Sequence, residues 1–344
     1  MENFDQKEAF RQALTGWFNA EKRDLPWRQT KDPYKIWVSE VMLQQTRVDT
    51  VIPYYERFID AFPTIHDLAN APEDVLLKKW EGLGYYSRAR NLQAGVREVV
   101  EQYNGIVPDN RPTISSLKGV GPYTAGAILS IAYGKPEHAV DGNVMRVLSR
   151  ILLITEDIAK PKTRKIFEAA VTNLIDHEDP SSFNQGLMEL GALICTPTSP
   201  KCLLCPVRDF CQAFHEGKER ALPVKTKAKK TKEIQFLSLV IQNEQGKWLM
   251  EKRPKGGLLA DMWQFPLVES LTDDVKNVYG IEKASLFLEF KHIFSHLTWN
   301  IKCMAAHSTK ADDLSENCRW FSEEEMEELP LPVPMQKIKN EVMK

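Results

Sequence analysis

The chain has 344 residues, 43% of them hydrophobic and 27% charged, with a formal net charge of −2. That balance excludes a disordered or fibrous chain, and the length favours two domains over one. No apolar run reaches the roughly 18 residues that a bilayer span needs, and Met1-Glu2-Asn3-Phe4-Asp5 lacks the basic-then-apolar pattern of a secretory leader, so a soluble, cytoplasmic chain with no membrane partner is expected.

From Lys7 to about His215, apolar residues recur at three- and four-residue spacing and predict helices. Phe10, Leu14, Trp17 and Phe18 form the first stripe. Ile36, Val41, Leu43 and Gln44 belong to a second helix, opened by the turn-forming Asp32-Pro33. Further helices are expected around 73–80, 88–103, 122–133, 143–154, 162–176 and 184–194, and no alternating strand in this stretch. Residues 223–232 then hold five lysines and no acid, which reads as a solvated linker that also suits phosphates. Beyond it the period changes to two. Ile234 to Gln242, Lys247 to Lys252 and Leu297 to Ala306 read as strands, with helical patterns near 271–279 and 322–329. The chain is therefore multidomain: an all-α domain over 1–215, a basic linker over 216–233 and a smaller α+β domain over 234–344.

Several segments carry chemistry. Glu40 stands on the apolar side of its helix, one turn from Ile36 and from Leu43 and Gln44. A carboxyl there is desolvated, its pKa rises toward neutrality, and it becomes a proton donor at pH 7; an exposed helix glutamate is the alternative. Leu117-Lys118-Gly119-Val120-Gly121-Pro122-Tyr123-Thr124 lies between two helical patterns. Gly119 and Gly121 allow a tight turn with positive φ, Pro122 suits the first turn of the next helix, and free N–H groups there suit a phosphate. In Val140-Asp141-Gly142-Asn143, an aspartate stands at a helix start beside a glycine that lets a substrate approach; Asp141 as a plain helix cap is the alternative. Four of the six cysteines crowd into seventeen residues as Cys195-x6-Cys202-x2-Cys205-x5-Cys211. In an intracellular chain, four close thiols point to a metal. Only one C-x2-C pair is present, so a compact loop around a [4Fe–4S] cubane fits better than zinc, which stays as the alternative.

The glycine turn, the aspartate and the cysteine cluster, in this order, resemble the helix–hairpin–helix superfamily of DNA glycosylases. With Ser39-Glu40, Leu43-Gln44-Gln45-Thr46 and Val140 to Arg146, the chain resembles the MutY-type adenine DNA glycosylases. The resemblance implies a helical barrel module at about 27–136 and a cluster module from 1–26 plus 137–215. It further implies that Glu40 is the general acid protonating adenine, and that Asp141 stabilises the oxocarbenium-like sugar, with Tyr123 and Asn143 assisting. Superfamily members that also cut the DNA backbone carry a lysine where this chain has Tyr123. A phenol forms no Schiff base, so monofunctional chemistry is expected. Arg28, Leu43 and Val48 match positions lining the adenine pocket. Gln45, with Thr46 beside it, matches a residue placed in the duplex near the oxidised base. A second glycine turn, Glu81-Gly82-Leu83-Gly84-Tyr85-Tyr86, suits a loop that wedges Leu83 or Tyr85 into the stack where a base leaves; a buried aromatic turn is the alternative.

Residues 234–344 resemble the Nudix fold, most visibly in Trp263-Gln264-Phe265-Pro266. Leu267 to Ile281 holds Glu269, Asp273 and Asp274 but no R-E-x-x-E-E run, so a reader of the lesion is expected instead of a hydrolase. Phe294-Ser295-His296 matches the loop that meets 8-oxoguanine in the family; without the resemblance it reads as a strand-to-strand turn. The implied partner is double-stranded DNA with A:8-oxoguanine or A:G mispairs, bound by a monomer. A nucleotide-pool hydrolase and a non-catalytic iron–sulfur DNA-binding protein are the competing readings.

Overall fold

A computed structural model describes residues 6–226, 232–310 and 315–344. The chain divides into two compact units, Met1–Asn70 with Ser87–Lys227, and Ala71–Tyr86 with Ala228–Lys344.

The first unit is helical. Helix Lys7–Glu21 buries Phe10, Leu14 and Phe18 and shares one core with Val140, Val144, Phe167, Phe183, Leu187 and Leu222, so the two ends of this unit close on each other. Helix Pro33–Leu43 starts as expected: the Asp32 side chain accepts the N–H of Tyr34 at 2.9 Å and Pro33 fills the first turn. It is buried on every side from Ile36 to Met42. Helices Pro122–Ile131, Gly142–Ile151, Pro161–Leu174 and Pro180–Leu193 follow the expected spans within a few residues. Helix Val48–Ala61 was not marked by the apolar spacing alone; Pro53 inside it interrupts the pattern of Val51, Tyr55 and Phe58.

The second unit is built on a seven-stranded mixed sheet. Its strands are β1 (Lys232–Asn243), β2 (Trp248–Lys252), β3 (Trp263–Gln264), β4 (Leu267–Val268), β5 (Ile281–Ile293), β6 (Leu297–Ser308) and β7 (Cys318–Phe321). The order is β3-β2-β1-β6-β5, with β4 on β1 and β7 on β2. β1 and β6 run parallel from Lys232↔Leu297 to Asn243↔Ser308. Val240, Met250, Phe265, Trp299 and Ile301 pack with Met326, Met335 and Ile338 of helices Glu323–Glu327 and Val333–Val342. Glu323, Glu324, Glu325, Glu327 and Glu328 are exposed around buried Met326, so the acidic run is a solvated face. β5 escaped the period-two reading because two register shifts, between Ile281 and Ala284 and between Leu286 and Leu288, break its alternation.

The compact units depart from the expected 1–215 and 216–233 boundaries in two places. Ala71–Tyr86 groups with the second unit: Glu81 accepts the N–H of Leu331 at 2.8 Å, and Lys78 donates to the carbonyl of Leu329. The front of the expected linker packs on the first unit through buried Leu222 and through the Ile158 N–H on the carbonyl of Val224. The lysine-rich stretch 227–231 lies outside the described residues. Among the described residues no helix is long and apolar enough to cross a membrane.

Leu14 is fully buried in the core that joins the two ends of the first unit. Leu14→Ala is expected to lower the stability of that unit by about 2–5 kcal/mol, read as a fall in its denaturant midpoint. An unchanged midpoint would mean that the N-terminal helix does not hold the unit together.

Candidate active site

Three elements distant in the chain deliver the central side chains. Helix Pro33–Leu43 carries Glu40, helix Pro122–Ile131 carries Tyr123 one residue inside its start, and Asp141 caps helix Gly142–Ile151. Together with Asn143, Arg28, Leu43, Gln45, Thr46, Val48, Gly119 and Gly121 they line one cavity of about 640 Å³, so every expected site residue of the first unit other than the cysteines meets there.

Glu40 is only 5% exposed. The Tyr123 hydroxyl donates to its Oε2 at 2.6 Å, with Met188 Sδ 3.5 Å from the same hydroxyl. Burial pushes the Glu40 carboxyl up, the Tyr123 hydrogen bond opposes that, Asp141 adds to it and Arg28 opposes it, leaving the group at about 7. The exposed-glutamate alternative is thereby excluded. Burial and the nearby carboxylates push the Tyr123 phenol well above its ordinary range, so it stays a donor at neutral pH.

Asp141 accepts the Val144 N–H on Oδ1 at 2.7 Å and the Asn143 amide on Oδ2 at 2.8 Å. Burial pushes its carboxyl up, and these donors work against that; the helix start also favours a carboxylate. Asn143 in turn accepts from Arg146 at 2.8 Å, and Arg146 Nε donates to the carbonyl of Cys195 at 2.8 Å. A short polar chain therefore links the Asp141 carboxylate to the cysteine loop.

Cys195, Cys202, Cys205 and Cys211 line a second, smaller cavity with Arg150. Arg150, almost fully buried, donates to Cys195 Sγ at 3.1 Å and to the carbonyls of Thr196, Pro197 and Leu222. Two 3₁₀ turns, Cys202–Leu204 and Arg208–Phe210, fold the loop back on itself. Four soft thiols around one cavity, with a guanidinium on one sulfur, suit an iron–sulfur cluster.

The glycine turn needs only one of its glycines for conformation. Gly119 has φ +78, and a Cβ on it would lie 2.7 Å from Asn91 Cβ. Gly121, at φ −86, is ordinary extended backbone, and the expectation of positive φ there is corrected. Its missing side chain instead leaves open space, which suits close approach of a phosphate to the helix start. Gln45 adopts a left-handed φ of 61, a conformation that costs a non-glycine residue about 1 kcal/mol or more. Arg88, buried at the start of helix Ser87–Tyr103, holds that turn: its guanidinium donates to the carbonyls of Val41, Met42 and Gln44 and reaches Thr46 Oγ1 at 3.4 Å.

The remaining expected residues belong to the second unit. Leu83 is buried, whereas Tyr85 is 47% exposed with φ 48, so of the two expected wedge residues Tyr85 is the one at the surface. Phe294 packs edge-on against Trp299 and His292, with centroids 5.0 and 4.5 Å apart. Its N–H donates to the carbonyl of Leu297 at 2.8 Å, closing a turn that leaves Ser295 and His296 exposed. Phe294-Ser295-His296 is thus a strand-to-strand turn between β5 and β6.

The apolar spacing gave no sign of Arg23, Arg88 or Gly191. Glu189 did leave one, a lone charge inside Leu187-Met188-Glu189-Leu190.

Comparison with known proteins agrees with this geometry. Residues 38–173 match the HhH-GPD superfamily of base excision DNA repair proteins, residues 195–211 the iron–sulfur binding domain of endonuclease III, and residues 237–341 the NUDIX domain. The chain is 35% identical to the adenine DNA glycosylase of Mus musculus, over 96% of this chain and 77% of that protein. It is 36% identical to that of Buchnera aphidicola subsp. Baizongia pistaciae, over 97% of each. Among solved structures it resembles a thermostable thymine-DNA glycosylase (TM-score 0.56, 30% identity, 63% of this chain and 100% of that one) and a trapped endonuclease III–DNA covalent intermediate (TM-score 0.53, 25% identity, 63% and 99%).

Gly191, on helix Pro180–Leu193, sets how near Asn143 can come: a Cβ on it would lie 2.7 Å from Asn143 Cβ. Gly191→Ala is expected to cost about 1–3 kcal/mol of stability, seen as a lower melting midpoint. Gly121→Ala, with open space and ordinary φ, is expected to leave the midpoint in place. Equal midpoints for both variants would contradict the close packing.

Proposed function

Because the chain belongs to the adenine DNA glycosylases, iron–sulfur enzymes of base excision repair, we propose that it flips out and hydrolyses adenine mispaired with 8-oxoguanine or guanine. The observation that carries this is the pair of carboxyls in one cavity. Glu40 is held near neutrality by burial, and Asp141 is held by N–H donors at a helix start.

Adenine enters the cavity after leaving the stack, a step that mispairing makes easier by a few kcal/mol. Protonated Glu40 gives its proton to a ring nitrogen of the base. The C1′–N9 bond then breaks with its electron pair going to adenine, and positive charge develops on the sugar. The Asp141 carboxylate stabilises that charge, and water adds at C1′ and loses a proton. Tyr123 orients the Glu40 carboxyl through its 2.6 Å hydrogen bond, and it offers no amine to attack the sugar, so the enzyme is monofunctional. Cys195, Cys202, Cys205 and Cys211 would hold one [4Fe–4S] cluster, which would cross-link the loop on which Arg146 and Arg150 converge. Arg28, Leu43 and Val48 enclose the base, Gln45 and Tyr85 enter the duplex, and the backbone at Gly119 and Gly121 meets a phosphate. Ser295 and His296, anchored by Phe294, read the oxidised base by hydrogen bonds to atoms that guanine presents differently. The enzyme acts as a cytoplasmic monomer on double-stranded DNA.

The acid must be protonated. With Glu40 at about 7, single-turnover excision is expected to hold below about pH 7 and to fall about tenfold per unit above it. Glu40→Gln and Asp141→Asn are each expected to keep the fold and lose roughly 10²–10⁴-fold in rate; full activity in either removes its assigned role. On duplexes with adenine opposite 8-oxoguanine, guanine or thymine, strand breaks are expected only after alkali and fastest opposite 8-oxoguanine. Breaks without alkali would contradict monofunctional chemistry, and equal rates opposite all three would contradict lesion reading.

A further inference from the structure

The Glu189 side chain is 2% exposed, yet it carries a charge inside an apolar helix. Its Oε1 accepts from the backbone N–H of Arg23 at 3.2 Å, from Arg23 Nε at 2.9 Å and from Arg28 Nη1 at 3.1 Å. Its Oε2 accepts from Arg23 Nη2 at 2.7 Å and Arg28 Nη2 at 2.9 Å. Burial works against the carboxylate, and the hydrogen bonds from Arg23 and Arg28 overcome that, holding it at about 2. Arg28 is fixed on its other edges too: Nε donates to Gln185 Oε1 at 3.2 Å, Nη1 to the carbonyl of Arg23 at 3.0 Å, and the guanidinium stacks over Phe18 at 5.1 Å.

This cluster borders the chemistry. Arg28 and Glu189 line the same cavity as Glu40; the other charged or titratable groups lining it, among the described residues, are Arg23, Tyr123, Asp141 and Arg164. Tyr123 and Asp141 act on Glu40 from helices Pro122–Ile131 and Gly142–Ile151, and Arg28 acts on it from the turn Pro26–Arg28. A cation beside a buried acid favours the ionised form, which is the wrong form for a proton donor. Its own counter-ion, bound directly to it, weakens that field.

We propose that Glu189 is a positioning residue of the active site: it pins Arg28 against the base pocket and screens its charge, so that this cation does not draw the proton from Glu40. The proposal rests on the reading of Glu40 as the general acid. Removing one partner from a buried ion cluster leaves the others uncompensated, so the effect of losing Glu189 should reach Glu40 as well as the fold.

The test is the pH profile of single-turnover adenine excision by the full-length, cluster-containing protein. In Glu189→Gln the descending limb is expected to move down by about one pH unit, so that excision at about pH 8 is about tenfold slower than wild type while the acid end changes less. Glu189→Asp, which keeps the charge, is expected to return the limb toward the wild-type position. Arg28→Gln removes the cation instead of its counter-ion and is expected to move the limb up; it decides the matter if Glu189→Gln does not fold. A uniform loss at every pH in Glu189→Gln, or no upward shift in Arg28→Gln, overturns the proposal. A limb that persists in the residual activity of Glu40→Gln would overturn the general-acid reading itself, and this proposal with it. A limb that disappears with Glu40 but ignores Glu189 and Arg28 overturns this proposal alone.

Discussion

Glu40 sits on a helix that is buried all round from Ile36 to Met42, and a charged carboxylate in such a place is stable only if polar groups reach it. Tyr123 supplies a hydrogen bond from the helix after the glycine turn, Arg28 favours the charge from a short 3₁₀ turn, and Asp141 opposes it from a third helix start. The demand to surround one acid therefore fixes how several helices pack. Full ionic pairing would have made Glu40 an ordinary carboxylate, and complete isolation would have pushed its proton affinity too high for easy release. One hydrogen bond from a phenol and one screened cation leave it near neutrality, where proton transfer is efficient.

The cysteine loop enters the same packing from the other side. Arg146 and Arg150 stand one turn apart on the helix that Asp141 caps, and both reach the loop, one at the Cys195 carbonyl and one at its sulfur. Buried Val207 and Ala213 add the loop's own apolar anchors. A cluster that tied the four cysteines together would thus also restrain the helix that Asp141 caps, which gives an iron–sulfur group a structural use in an enzyme whose proposed chemistry moves no electrons.

Much of this was legible in the sequence because it rests on local rules. The cysteine spacing, the start of helix Pro33–Leu43 and the strands β1, β2 and β6 follow from short-range pattern. What stayed hidden depends on distance or on broken periodicity. The bulges in β5 remove the alternation by which a strand is recognised, and Pro53 obscures a helix that packing nonetheless holds. Arg88 has no local mark at all: its role comes from carbonyls more than forty positions earlier in the chain. Glu189 had a mark, a charge among apolar residues, whose meaning emerges only when Arg23 and Arg28 are brought to it. Glu40 lies between these cases, since its helix looked one-sided in sequence and proves to be enclosed.

Asp141 shows why a structural and a catalytic reading of one residue need not compete. As a cap it accepts the Val144 N–H, and that bond, with the Asn143 amide on the other oxygen, fixes the carboxylate in one orientation at the cavity wall. A free side chain would lose rotamer entropy each time it met a developing cation. A capping side chain has lost it already on folding, and the helix start favours the charge it must carry. Alanine at this position would remove the cap as well as the charge, so loss of activity in that variant would not separate the two roles. Asparagine retains an oxygen for the Val144 N–H while removing the negative charge, so the difference between wild type and asparagine measures what the carboxylate does beyond holding its own helix.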